Sequence, residues 1–151
     1  MKTTKRFEIA VQKLYTAFNN DTLNPECCTA CAVGNILDNT DAWKNFTDCH
    51  GSVKLNYVGQ VNQAFGKRFN GYTPLELLNI EAVFLNACGY QLPLVRNSNR
   101  PKNATNSEML FNGLDSVIAH LCKLDGISNI MDYSNVFRKI ADLKSSSLQT
   151  A

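Results

Sequence analysis

Hydrophobic positions recur along this chain with helical spacing, interrupted by short polar clusters. From residue 5 to 19, Phe7, Val11, Leu14, Tyr15 and Phe18 fall at i, i+4, i+7, i+8 and i+11, while Lys5, Arg6, Glu8, Gln12 and Lys13 take the other face. One apolar stripe of that width predicts an amphipathic helix lying on a core. Asn19-Asn20-Asp21 ends it. A second helix is expected over about 25–37, with Asn24 as N-cap and Pro25 at the first helical position, where its missing N–H is no loss. Asp38-Asn39-Thr40-Asp41 is a break, and Thr40 is placed to cap a short helix through Trp43 and Phe46. Thr47 to Ser52 reads as a loop rich in donors and acceptors. Helical spacing returns over 53–66 through Leu55, Val58, Val61 (or Asn62) and Phe65, with exits at Gly66 and Asn70-Gly71.

The strongest local signal is Thr73-Pro74-Leu75-Glu76, which joins a capping residue, proline at the first helical position and glutamate three residues after the cap. The helix it opens carries Leu75, Leu77, Leu78, Ile80, Val83, Phe84, Leu85 and Ala87. That is apolar nearly all round, as in a central helix buried by its neighbours. Beyond the capping glutamate, an acid interrupts it: Glu81, either on a wet stripe or as a paired, functional carboxylate. Cys88-Gly89 ends the helix, with Gly89 as a left-handed cap. Tyr90 to Ala104, with Pro93 and Pro101, is irregular. Thr105-Asn106-Ser107-Glu108 reads as a second capping box, opening a helix to about Leu124 with Leu110, Phe111, Leu114, Val117, Ile118 and Leu121 inward and Asp125-Gly126 closing it. A last helix is expected over 132–143 through Val136, Phe137, Ile140 and Leu143. The two strand candidates, Val53–Leu55 and Leu92–Val95, are too short to anchor a sheet. The expected fold is all-α: a single bundle-like domain of about six helices over residues 1–144, then a frayed tail over 145–151.

Composition narrows the function classes. A chain of 151 residues buries roughly 68–70% of its unfolded surface, so it needs neither disulfides nor a metal as a staple. The net charge of +2 is close to balance, and the densest basic run, Arg96, Arg100 and Lys102, lies among Asn, Ser and Pro as a solvated loop does. Neither nucleic acid nor an anionic membrane is therefore an expected partner. Met1 to Arg6 leads into a polar-patterned helix rather than an apolar segment, and no apolar run approaches the ~18 residues that span a bilayer. The expectation is a cytoplasmic protein with reduced thiols. There is no Gly-x-Gly-x-x-Gly, no phosphate-cradling Gly-rich loop, no His-Glu-x-x-His and no Gly-x-Ser-x-Gly. Nucleotide-binding, metalloprotease and serine-hydrolase chemistry are left without support, and no reaction is assigned.

Thiols are where reactive chemistry concentrates. Three of the six cysteines, Cys27, Cys28 and Cys31, fall within five residues. On the expected helix, Cys27 and Cys31 are i and i+4, and Cys28 and Cys31 are i and i+3, so either pair can meet on one face. Zinc takes four Cys, His or carboxylate ligands in a tetrahedron. The candidate set is Cys27, Cys31, His50 and Cys88, with Cys28 as substitute. Zinc is expected ahead of an iron–sulfur cluster, because neither the Cys-x4-Cys-x2-Cys nor the Cys-x2-Cys-x2-Cys spacing occurs. Two other readings stay open. In one, the cysteines are small core residues of a non-catalytic interaction or scaffold protein with a protein partner still to be named. In the other, Cys27 or Cys28, activated at a helix start, serves thiol redox or electron transfer. The Cys-x-x-Cys of 28–31 lacks the preceding strand of a thioredoxin-like motif. His120 and Cys122 read as structural.

Asn24-Pro25-Glu26-Cys27 with Cys31-Ala32-Val33-Gly34-Asn35-Ile36, Leu55-Asn56-Tyr57-Val58-Gly59, Asn70 to Leu78 and Cys88-Gly89-Tyr90 together resemble a family of small proteins from Bacteroidetes bacteria. The resemblance runs to about Tyr133. Members often carry the name of the F subunit of the sodium-translocating NADH–quinone reductase. That subunit combines a membrane anchor, a ferredoxin domain, and flavin- and NADH-binding domains, whose motifs these residues do not contain. The resemblance therefore implies a bacterial origin and a role for the Cys27/Cys31 pair, and no activity.

Overall fold

Thr4 opens the first helix: its hydroxyl accepts the Phe7 N–H, and α1 runs over Lys5–Asn19 with Phe7, Ala10, Leu14, Ala17 and Phe18 buried. The computed structural model describes residues 4–92, 101, 103 and 105–127. Four more α-helices follow among them: α2 (Ala32–Ile36), α3 (Tyr57–Ala64), α4 (Pro74–Ala87) and α5 (Ser107–Leu124), with a single 3-10 turn at Trp43–Asn45. The fold is all-α, with five helices in the described residues against the six expected; the helix expected over 132–143 and the tail from Ser145 lie outside them. No described helix is long and apolar enough to cross a membrane.

The core forms around α4. Its capping box closes in both directions, with Thr73 Oγ1 accepting the Glu76 N–H and Glu76 Oε1 accepting the Thr73 N–H at 2.9 Å. Leu77, Ile80, Phe84 and Leu85 are fully buried. The closest partner is α5, which can approach because residue 113 is glycine: a Cβ there would stand 2.5 Å from Cys88 Sγ and 2.9 Å from the Phe84 ring. Leu114, Val117, Ile118 and Leu121 complete this seam, as the periodicity predicts. Gly89 ends α4 at φ +95° and Gly126 follows α5 at φ +67°. Arg6 ties three elements together: its guanidinium donates to Asp125, to the Gly71 carbonyl at 2.7 Å and to Glu76 at 3.3 Å.

Four local expectations are corrected. The cysteine-bearing helix does not begin at Pro25. Asn24 Oδ1 instead closes a turn by accepting the Glu26 N–H, residues 27–30 form further turns, and α2 starts only at Ala32 with Cys31 as its N-cap. Asn24 spends its side chain on that local turn, as Asn does readily. Thr40 does not cap the next element: its hydroxyl donates to the Leu37 carbonyl at 2.6 Å, and the 3-10 turn has no side-chain cap. The helix expected over 53–66 begins at Tyr57, capped by Asn56, whose Oδ1 accepts the Gly59 N–H at 2.7 Å. The N-cap of α5 is Asn106 rather than Thr105, whose hydroxyl is engaged with Asn103.

Candidate metal centre

Cys31 sits where the chain turns from the 27–30 turns into α2. Its backbone is extended, and its Sγ accepts the Gly34 N–H at 3.3 Å, so the thiol does the work of a capping hydroxyl. The same thiol donates toward the Cys28 carbonyl at 3.6 Å. Gly34 makes this possible: a Cβ there would fall 2.5 Å from the Thr29 carbonyl carbon. Cys31 has no exposed surface.

Glu81 enters the same space from the middle of α4. It is 2% exposed, and its Oε1 accepts the Val33 N–H at 3.1 Å, satisfying a donor that the first turn of α2 leaves without a helical partner. Its Oε2 lies 3.0 Å from His50 Nε2. His50 comes from the 47–52 loop, held by its surroundings. Its ring is tilted against Trp43 with centroids 5.2 Å apart, and Trp43 Nε1 donates to the Cys28 carbonyl at 3.0 Å. The indole thus spans the cysteine turn and the histidine loop. α3 holds the turn that leads into the loop, Asn62 donating to the Asn45 carbonyl at 3.0 Å and the Asn56 N–H to the Phe46 carbonyl at 2.8 Å, while the Asn56 side chain donates to Asp48 in the loop at 3.2 Å.

Cys31, His50 and Glu81 form a group that could hold a metal ion, their ligand atoms all within 4.8 Å of one another. Of the five expected ligands, Cys31 and His50 are brought together here. Cys27, Cys28 and Cys88 are not part of the group. Cys88 is two helical turns beyond Glu81, about 10 Å along α4. It packs instead against α5, with its thiol toward the Met109 carbonyl at 3.7 Å. Cys27 Sγ contacts Thr29 Oγ1 at 3.3 Å. In the sequence Glu81 stands out only as an acid on an otherwise apolar helix; its burial and its bonds to Val33 and His50 show it to be a paired carboxylate rather than a surface residue.

Burial, and then the Glu81 charge, push the Cys31 thiol well above its usual range. Burial with the same carboxylate pushes Cys88 up to about 12. Cys28 is also raised, by burial and then by Asp41, whereas hydrogen bonding from Thr29 lowers Cys27. The lowering at Cys27 owes nothing to a helix start, since none lies there. Cys31 without a metal is a buried neutral thiol and a poor nucleophile.

No protein-family model, curated protein or solved structure matches the chain.

Proposed function

We propose that the chain binds a divalent metal, zinc ahead of iron, through Cys31 Sγ, His50 and the Glu81 carboxylate. The observation that carries this is the convergence of a thiol, an imidazole and a carboxylate from three distant segments into one buried space. The donor set is one that zinc accepts, with Zn–S near 2.3 Å and Zn–N and Zn–O near 2.0–2.1 Å. Around a tetrahedral ion such ligands stand roughly 3.3–3.7 Å apart. The ligand atoms, all within 4.8 Å of one another, reach that by small shifts, the His50–Glu81 pair opening from 3.0 Å to admit the ion. Burial supplies a second support: a carboxylate 2% exposed is costly to keep charged unless a cation compensates it. Three protein ligands leave one position for water or a further group. Trp43, against His50 and bonded to the cysteine turn, orients the shell around the ligands.

The expected outcome of a zinc titration on chelator-stripped protein, purified without an affinity tag, is one ion per chain. Cys31→Ala, His50→Ala and Glu81→Gln each abolish it, while Cys27→Ser and Cys88→Ala retain it. Zinc content well below one per chain after supplementation would remove the reading. A second reading rests on the His50–Glu81 contact, which closes at 3.0 Å by hydrogen bonding alone. On that reading the triad is a polar clasp in a non-catalytic scaffold protein, and the same titration returns no binding while the three variants still lose stability.

A further inference from the structure

α3 is turned inside out relative to its sequence. Tyr57, Val58, Val61 and Phe65 fall along one side of the helix, the stripe that ordinarily faces a core. Here Tyr57 is 80% exposed, Phe65 84% and Val58 47%. The helix is fastened from its other side. Gly59 is pressed so closely on the preceding turn that a Cβ would stand 2.1 Å from the Phe46 carbonyl oxygen, and Asn62 bonds the Asn45 carbonyl. Gln63, also on that fastened side, accepts the Leu75 N–H at 2.9 Å and so ties α3 to the start of α4. Tyr57, Phe65 and Val58 together present on the order of 400 Å², the size of the largest and often functional patch on a monomer.

We propose that this face is the twofold interface of a homodimer, with the α3 helices of two copies packed antiparallel. Two observations favour a second copy. No charged residue occurs from Tyr57 to Gly66, so two identical faces meet without repulsion at their centre, and the mix of Tyr, Phe and Val without charge is that of an interface core. The charges at the two ends are complementary under a twofold axis. Asp48, bonded to the cap Asn56 at 3.2 Å, marks the N-terminal end, and Lys67 and Arg68 follow the C-terminal end. Antiparallel packing brings Asp48 of each copy toward the basic end of the other and opposes the helix dipoles. Lys54, also near the N-terminal end, is long enough to turn its charge to solvent. Doubling the patch buries on the order of 800 Å², less than a standard interface, so the dimer is a weak one that forms at high protein concentration.

Sedimentation equilibrium on the full chain, from low to several hundred micromolar, tests this. The expected result is a monomer–dimer equilibrium whose dissociation constant rises at least about 30-fold in Phe65→Asp, as for an interface anchor, and in Val58→Asp. Ile9→Asp, at a position on α1 that is 40% exposed, leaves it unchanged. Because Phe65 and Val58 are exposed in the single chain, both variants should fold and melt as the wild type does below the dissociation constant. A monomer at all concentrations overturns the proposal, as does a dimer indifferent to Phe65→Asp. So does a monomer destabilised by Phe65→Asp, since the stripe would then be covered by the chain's own residues 128–151.

Discussion

Glu81 on α4 accepts the backbone N–H of Val33, 48 residues earlier, at 3.1 Å, so a carboxylate on the central helix caps a helix it does not belong to. The same side chain meets His50 through its second oxygen. Substitutions at residue 81 therefore separate two roles. Glu81→Gln keeps an acceptor for Val33 and is expected to cost the metal-free protein about 1 kcal/mol, while Glu81→Leu leaves a buried N–H unpaired and costs about 2–4 kcal/mol. Both lose zinc. Urea denaturation of stripped protein measures the difference, and equal losses from Gln and Leu would show that the cap contributes nothing.

Gly34 shapes the site without being one of its three candidate ligands. With a Cβ 2.5 Å from the Thr29 carbonyl carbon and 2.8 Å from the Cys28 oxygen, Gly34→Ala must push the 27–30 turns away from α2, and backbone cannot yield as a flexible side chain would. The expected cost is about 2–3 kcal/mol, with zinc affinity reduced at least tenfold because Cys31 moves with that turn. Thermal melts and competition with a chromogenic chelator read the two effects. Unchanged affinity in a folded Gly34→Ala would separate the turn from the site.

These two positions also show what the sequence makes legible. α1, α4 and α5 follow from local rules: their stripes are long, and the α4 capping box is satisfied entirely within residues 73–76. The region between α1 and α4 is shaped by contacts that no local rule encodes. Pro25 suits a helix start, but the start is deferred to Ala32, where Glu81 and the Cys31 thiol supply acceptors for Val33 and Gly34. The face of α3 is inverted because Gly59 and two asparagines bind it from the polar side. Of the candidate site, a clustered cysteine and a loop histidine can be picked out by residue type. The third member appears in the sequence only as an acid out of place among Ile80, Val83 and Phe84. Whether such an acid faces water or a partner depends on helices distant in the chain.

Arg6 and Asp125 join the start of α1 to the end of α5, and the aspartate side chain is only 2% exposed. Removing the guanidinium leaves that carboxylate buried with only the Thr4 hydroxyl as donor and no compensating charge, whereas the arginine is better able to find water. Arg6→Met is expected to destabilise by about 3–5 kcal/mol, partly recovered in the double variant with Asp125→Asn. A double-mutant cycle by chemical denaturation measures the coupling. Strictly additive losses would reduce the pair to an incidental contact. The site is elsewhere, so zinc stoichiometry in any folded fraction stays at one.

On the proposed metal reading, the Cys31 thiol sets the pH dependence of binding. Its pKa is raised well above the usual thiol range, so at neutral pH the metal-free protein carries the proton, and a thiolate ligand forms only by losing it. Below that pKa the thiolate fraction grows tenfold per pH unit, so zinc affinity is expected to rise by about a factor of ten per unit between pH 7 and 9 from this residue alone, with one proton released per ion bound. For the metal-free protein the sign is opposite. A thiol whose folded pKa exceeds its unfolded value of about 8.5 contributes stability that is full below that value and is lost as pH rises toward the folded pKa. Cys31 and Cys88, the latter pushed up to about 12, both act this way. Stripped protein should therefore weaken by up to about 1.4 kcal/mol per pH unit for each thiol above pH 9, while zinc-loaded protein is spared the Cys31 share because its thiolate is already compensated. Denaturation midpoints for both forms across pH 7 to 11 give the comparison. Parallel curves would mean that Cys31 is not a ligand, whatever else the ion binds.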